Sequence, residues 1–196
     1  MTRILFIRHG NIDMADSIPG RLPDVHLSDA GRKQSERIAD MLNAFSIDAI
    51  YTSPLDRTRE TAGPLAQKKD LTPEDCDNLL EIDFGEWTGR SFQELESNEK
   101  WKQFHYYRNG CRIPGGELMI EVQARMVTQA KLFTNQYPHG TIAVFSHNDP
   151  IKSVLAYYLG ISTDLFLRLR IDTGSVSIVD IDKSVAIVRC INQIPN

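Results

Sequence analysis

The sequence predicts an α/β protein: a three-layer α/β/α sandwich around a mostly parallel central sheet. Three features carry that expectation. Residues 4–7 (ILFI) and 141–145 (TIAVF) are short apolar runs, the pattern of strands buried on both faces. Amphipathic stretches with helical spacing separate such runs for most of the length, as crossover βαβ units require. No repeat, low-complexity tract or linker interrupts the alternation, so residues 1–196 read as one domain.

Taken in order, the first strand stops abruptly at Arg8-His9-Gly10. Residues 28–45 are expected to be a helix, with Ile38, Met41, Leu42 and Phe45 at helical spacing and Ser28 as its N-cap. A second strand over 47–51 leads into Ser53-Pro54-Leu55-Asp56. There a cap serine, a proline at the first helical position and a carboxylate three residues after the cap predict a helix to about Lys68. Residues 78–88 are expected to be a third strand ending in a glycine-containing turn, and 92–107 to hold two helical segments. Pro114-Gly115-Gly116-Glu117 breaks the chain before a long helix over 118–135. After the run 141–145, Asp149 as cap and Pro150 at the first position open a helix that Gly160 stops. Two strands, 176–181 and 185–191, joined by an Asp-Lys-Ser turn, close the fold.

Composition narrows the function classes. With 26 acidic residues against 22 Lys plus Arg, the net charge is −4. A chain without a basic face is not expected to bind nucleic acid or an anionic membrane. An anion site must then be built locally, from a few converging cations and amides. Cys76, Cys111 and Cys190 are odd in number, with no CxxC pair, which reads as free thiols in a reducing, cytoplasmic setting. The opening apolar run is too short for a signal peptide, and no run reaches the 18 or so residues of a membrane helix.

The two buried-strand runs each end in a histidine, His9 and His147. In open α/β sheets ligands bind at the carboxyl ends of the strands, so neighbouring strands would bring both imidazoles into one cleft. A histidine alone more often packs or caps a loop. Arg8 shifts the balance, because an arginine beside a glycine at a strand end is a poor core residue. Arg57 falls in the first turn of a helix, where a cation opposes the helix dipole unless an anion sits between. Its plain reading is a surface arginine paired with Asp56 or Glu60. Taken with Arg8 and the histidines, it completes a phosphate pocket, since the guanidinium fork matches phosphate oxygens.

These residues lie in segments that resemble the histidine phosphatase superfamily, the phosphoglycerate mutase-like family. Ile7-Arg8-His9-Gly10 resembles its RHG signature, and Leu27-Ser28-Asp29-Ala30-Gly31-Arg32-Lys33-Gln34 its LSxxGxxQ segment. Ser53-Pro54-Leu55-Asp56-Arg57-Thr58 is similar to its SPLxR segment. Leu80-Glu81-Ile82-Asp83-Phe84-Gly85-Glu86-Trp87-Thr88-Gly89 resembles its LxExxFGxWEG block. Pro114-Gly115-Gly116-Glu117 and Phe145-Ser146-His147 follow in family order, so the likeness spans nearly the whole chain.

The resemblance implies a metal-independent phosphatase of the family's phosphatase branch, without cofactor, acting on a small phosphorylated metabolite through a phosphohistidine. His9 would be the nucleophile. Arg8, Arg57 and His147 would hold the phosphoryl oxygens, and Glu81 would act as general acid and then base. Neutral His9 fits beside two arginines, whose charge lowers its pKa, with its second ring nitrogen donating to a backbone carbonyl. Glu81 is favoured over nearby Asp83 and Glu86 by the block match, although strand alternation would put Glu81 and Asp83 on one face. Glu117, in the first turn of the long helix, is expected to be structural.

Several positions depart from the family pattern. Asn11 can still bond phosphate, but Ile12 cannot, and Ala15 stands where many members have asparagine. Asn148-Asp149-Pro150 replaces Gly-Gly or Gly-Asp, which makes Asn148 a substrate-binding candidate and leaves Asp149 expected to point away. The aromatic-rich segment holding Trp101, Phe104, Tyr106 and Tyr107 is core by default. Residues 89–115 are also a candidate active-site cap insertion. His26, His105 and His139 show no metal-ligand spacing. A phosphoglycerate mutase and an inactive phospho-ligand-binding relative are the rival readings, and a monomer and a homodimer both remain open.

Overall fold

The computed structural model describes residues 1–195. Among them β1 (Thr2–Arg8), β2 (Ala49–Thr52), β3 (Glu74–Asp75), β4 (Thr141–Ser146), β5 (Val176–Ile181) and β6 (Ala186–Gln193) form one sheet. Its order is β3-β2-β4-β1-β5-β6. β3, β2, β4 and β1 run parallel, and β5 is antiparallel to both β1 and β6. β4 is thus inserted between β1 and β2, strands that precede it in the chain. Such reversals of strand order open a crevice at the carboxyl ends.

Alternation along β1 assigns the layers. Leu5 and Ile7 pack with Ile38, Ala39 and Leu42 of α1 (Asp29–Leu42) and Ala62 and Leu65 of α2 (Asp56–Lys69). Ile4 and Phe6 face Met126, Ala130 and Phe133 of α5 (Met119–Gln136) and Ile151, Val154 and Leu155 of α6 (Asn148–Leu159). All four β1 side chains are at most 2% exposed. Burying each contributes about 1.5–3 kcal/mol, and Leu5→Ala would cost about 2–5 kcal/mol. A third cluster sits apart from the sheet. Ile82, Trp87, Leu95, Phe104, Ile113, Met119, Val122 and Phe166 bury one another there, gathered around α3 (Phe92–Leu95) and α4 (Glu99–Tyr106).

Ser28 caps α1 as expected, its hydroxyl accepting from the Gly31 amide at 3.1 Å. Gly31 must be glycine, because a Cβ there would lie 2.1 Å from the Asn11 carbonyl. That close approach locks the loop after β1 onto the start of α1.

Three local expectations are corrected. Residues 78–88 are not a strand: two 3-10 turns, Asp77–Leu79 and Gly85–Trp87, flank an irregular segment. Glycines explain this path, since a Cβ on Gly116 would lie 2.2 Å from the Asp83 carbonyl. A regular strand does not tolerate that crossing. α2 begins at Asp56 behind Leu55, with no side-chain cap, because the Ser53 hydroxyl is engaged elsewhere. α6 begins at Asn148, two residues earlier than expected, so Asp149 lies inside its first turn rather than capping it.

Candidate active site

The carboxyl ends of β1, β4 and β2 meet where the backbone ladder continues past the strands. The His9 amide donates to the Ser146 carbonyl at 3.1 Å, and the Ser53 amide to the Phe145 carbonyl at 2.9 Å. The ladder therefore carries His9 and His147 into contact, with ring centroids 5.2 Å apart. Both are buried. The His9 Nδ1 lies 2.8 Å from the Gly10 carbonyl, which can only accept, so Nδ1 carries the proton and Nε2 keeps its lone pair. Gly10 is itself fixed, its amide donating to the Thr61 hydroxyl of α2 at 3.0 Å. His147 is oriented differently: its Nε2 lies 2.8 Å from the Ser53 hydroxyl, while its buried Nδ1 has no protein partner.

Arg57 is 1% exposed. One nitrogen, Nη2, donates to the Gly20 carbonyl at 2.6 Å, yet Nε and Nη1 are buried without a partner among the described residues. Arg8 repeats the pattern, with Nη1 donating to the Ile171 carbonyl at 2.7 Å and Nε unsatisfied. Buried donors without acceptors cost about 1–3 kcal/mol each, and more when charged. Such clusters mark a place shaped for something else. Here the donors ask for an acceptor-rich anion.

Charge and burial set the protonation states. Burial first, then Arg57 and Arg8, hold the His9 pKa well below its usual value, so the ring is neutral and nucleophilic. His147 is lowered in the same way by burial, Arg57 and His9. Glu81 is 9% exposed, and its Oε1 accepts from the Ile82 amide at 2.8 Å. Burial, then repulsion from Asp149, raises it to about 7 against the pull of that amide, Arg57 and Arg8.

Glu81 and Asp83 do not share a face, since there is no strand. Asp83 is partly exposed and bonds the Gly85 amide, at 2.9 Å. Glu117 precedes its helix instead of lying in the first turn. Its carboxylate accepts from Arg21, Arg125 and the Asp83 amide, and both arginines also donate to the Glu81 carbonyl. It braces the segment that carries Glu81. Asn11 is exposed, and its side chain accepts from the Ser28 hydroxyl at 2.8 Å. Asn148 donates to Asp149 Oδ1 at 2.9 Å. Neither of these two aims its side-chain bonds at the histidines.

Two cations next to the site escaped the sequence reading. Arg108 is 4% exposed and pairs with Asp149 at 2.9 Å. Lys152 of α6 is 9% exposed, and burial lowers its pKa. The spacing held a signal: Asp149 and Lys152 are three apart on one helix, hence on one face. Asp149, which was expected to point away from the phosphate, instead pairs with Arg108 beside the site.

The family model for the histidine phosphatase superfamily, branch 1, matches residues 4–194. The chain belongs to that superfamily. It is 28% identical over 188 residues to phosphoserine phosphatase 1 of Hydrogenobacter thermophilus, covering 93% of this chain and 88% of that one. It is 31% identical to a bifunctional protein of Mycobacterium tuberculosis, over 98% of this chain but 54% of the relative's length. Among solved structures, a putative α-ribazole-5'-P phosphatase from Escherichia coli superposes with a TM-score of 0.88 at 23% identity. That match covers 98% of this chain and 96% of the other. An Entamoeba histolytica phosphoserine phosphatase in complex with 3-phosphoglyceric acid superposes at 0.89, with 23% identity and 98% coverage of both chains. These likenesses establish the three-layer fold. No helix among the described residues is long and apolar enough to cross a membrane.

Proposed function

We propose that this superfamily member is a phosphoric monoester hydrolase that moves the phosphoryl group of a small phosphorylated metabolite to His9 and then to water. The observation that carries this reading is the set of buried side-chain nitrogens without a partner among the described residues, Arg8 Nε, Arg57 Nε and Nη1 and His147 Nδ1, around a neutral His9. A phosphoryl group supplies the oxygens they lack. In the first step the His9 Nε2 lone pair attacks phosphorus, the ester P–O bond breaks, and Glu81 gives its proton to the leaving oxygen. Water then attacks phosphorus while Glu81 takes its proton, the P–N bond breaks with its electron pair returning to His9 Nε2, and inorganic phosphate leaves. A carboxyl with pKa of about 7 serves both directions. Arg8, Arg57 and His147 spread the charge of the transferring group, the work of positioning and electrostatics that dominates phosphoryl transfer. With two guanidinium groups in place, the reading calls for no metal ion.

The names of relatives also include a probable phosphoglycerate mutase of Yersinia pestis, 29% identical over 94% of this chain. Phosphate release and phosphoglycerate interconversion are therefore assayed side by side. The central test uses an aryl phosphate with EDTA present, on wild type and His9→Ala. Hydrolysis is expected in wild type and to fall by at least about 10⁴-fold in the variant. An acid-labile, base-stable phosphoprotein should be trapped from wild type alone. EDTA-sensitive turnover, or a fully active His9→Ala, sinks the reading.

A further inference from the structure

The Glu81 carboxyl is held by a peptide unit, and two arginines hold that peptide unit. Residues 80–84 belong to neither helix nor strand, so no ladder fixes the direction of the Glu81 carbonyl. Two guanidinium groups do so instead: Arg21 Nε donates to it at 2.8 Å and Arg125 Nη2 at 3.2 Å. A peptide unit is planar, so fixing the carbonyl of Glu81 also fixes the N–H of Ile82 on the opposite edge of the same plane. That N–H donates to Glu81 Oε1 at 2.8 Å. The direction of the reacting carboxyl is thus set, through one rigid plane, by side chains that bond only its backbone.

Arg21 is placed to do more than brace. Its side chain is 31% exposed, and an arginine so placed ordinarily carries its nitrogens out to water. Here Nη2 donates instead to Glu117 Oε2 at 2.9 Å, and Nη1 lies 3.8 Å from Asp83 Oδ2. Glu117 in turn accepts from the Asp83 amide and from Arg125, so residues 81–83 are tied to one cluster. Arg21 also follows Gly20, whose carbonyl accepts from Arg57 Nη2 at 2.6 Å. Two adjacent residues of one loop therefore reach the two parts that must cooperate. One orients a guanidinium that receives phosphoryl oxygens, and the other orients the carboxyl that protonates the leaving oxygen.

We propose that Arg21 is a positioning residue for proton transfer: by fixing the Glu81–Ile82 peptide from a loop that also orients Arg57, it sets where the acid stands relative to the bound phosphoryl group. This rests on the phosphatase reading and adds to it a residue that touches neither the substrate nor the reacting atoms. Asp149, Arg57 and Arg8 are the charged groups that act on the Glu81 carboxyl itself, whereas Arg21 acts on its backbone.

The test uses p-nitrophenyl phosphate and benzyl phosphate, esters that share a ring and differ in how much the leaving oxygen needs a proton. kcat/KM is measured for wild type, Arg21→Met and Arg21→Lys. In Arg21→Met a misplaced acid should lower turnover of benzyl phosphate by roughly ten- to hundredfold, and of p-nitrophenyl phosphate by at most about threefold. Arg21→Lys, which keeps a cationic donor, should recover part of the loss with benzyl phosphate. An equal fall for both esters in Arg21→Met, the mark of a merely structural brace, or no fall in either overturns the proposal. A second readout needs no turnover. The amide proton of Ile82, bonded to the Glu81 carboxyl, should shift with pH around a midpoint of about 7 in the NMR spectrum of wild type and lose most of that response in Arg21→Met. A full response in the variant overturns the proposal as well. If wild type cleaves neither ester, the phosphatase reading fails instead, and the Ile82 titration still decides whether Arg21 positions Glu81.

Discussion

The two ends of the sheet treat buried charge in opposite ways. Near the start of β1, Asp180 of β5 is 5% exposed and fully engaged. Arg3, its cross-strand partner in register, donates to both oxygens at 2.7 and 2.9 Å, and Arg189 of β6 adds a third bond at 2.8 Å. About 16 Å along the same strand, at roughly 3.3 Å per residue, Arg8 keeps a buried nitrogen without an acceptor, and so does Arg57 beside it. The first end satisfies its charges and so contributes to stability. The second holds unsatisfied charge that costs stability and becomes useful only when an anion arrives. Substitutions at the two ends should therefore move activity and stability in opposite senses.

After the nucleophile itself, the largest effect is expected at Glu81. Glu81→Gln keeps the shape but cannot transfer a proton, so turnover of an alkyl phosphate should fall by about 10²–10⁴-fold. An aryl phosphate, whose leaving oxygen needs less help, should suffer less. Stability should move the other way. The folded pKa of about 7 lies above the ordinary 4.5, so between those values the unfolded chain releases a proton that the folded chain keeps, and wild type loses stability as pH rises. Glu81→Gln is then more stable than wild type at pH 8 by at most about 3 kcal/mol, with little difference at pH 4. Equal unfolding temperatures at both pH values would remove Glu81 from the unsatisfied end.

Next come paired arginine substitutions, one at each end. Arg57→Met should lower kcat/KM by about 10²–10³-fold, the usual worth of one preorganised charge-stabilising group, without lowering the unfolding temperature. Inorganic phosphate should raise the unfolding temperature of wild type through binding linkage and have little effect on this variant. Arg3→Met should do the reverse, leaving kcat/KM intact and costing about 1 kcal/mol, a small figure because Arg3 is partly exposed and Arg189 remains. Hydrogen bonding from Arg3 holds the Asp180 carboxyl below its usual pKa. Its stabilisation is present above about pH 4 and lost as pH falls further, so the cost of Arg3→Met should vanish in acid. Denaturant titrations at pH 7 and pH 3 check the sign.

The satisfied end and the layers were legible from sequence because they follow period and burial. The runs 4–7 and 141–145 announced β1 and β4, and Ser28 announced α1. Local chemistry misled where tertiary contacts outbid it. Residues 78–88 carry an apolar alternation suited to a strand, yet the crossing at Gly116 and the bracing of Glu117 by Arg21 and Arg125 bend them into turns. Asp149 has every property of a helix cap, yet Arg108, which lies 41 residues earlier, claims it. Strand ends pointed to His9, His147 and Arg8, and the helix start to Arg57, while Glu81 came only through the motif resemblance. Lys152 left only a faint signal, its three-residue spacing from Asp149, because an amphipathic helix accommodates a lysine almost anywhere.

Ser53 is where the two kinds of end touch, and it carries the smallest expected effect. Sequence assigned it to capping α2, a task worth about 1 kcal/mol. Instead its hydroxyl lies 2.8 Å from His147 Nε2, and its carbonyl accepts from Thr58 at 2.7 Å. The residue is fully buried. Because it orients an imidazole that faces the substrate without meeting the substrate itself, Ser53→Ala should act through position. Losing one neutral hydrogen bond of about 1 kcal/mol corresponds to a fall in kcat/KM of roughly five- to tenfold. Thr58 and the Phe145 ladder bond, which hold the Ser53 backbone, are untouched, so the unfolding temperature should move by only a few degrees. Ser53→Thr, which keeps the hydroxyl, should restore most of the activity if the extra methyl is accommodated. A cap would behave differently, with stability falling and kcat/KM spared, and that pattern would return Ser53 to the structural end of the sheet.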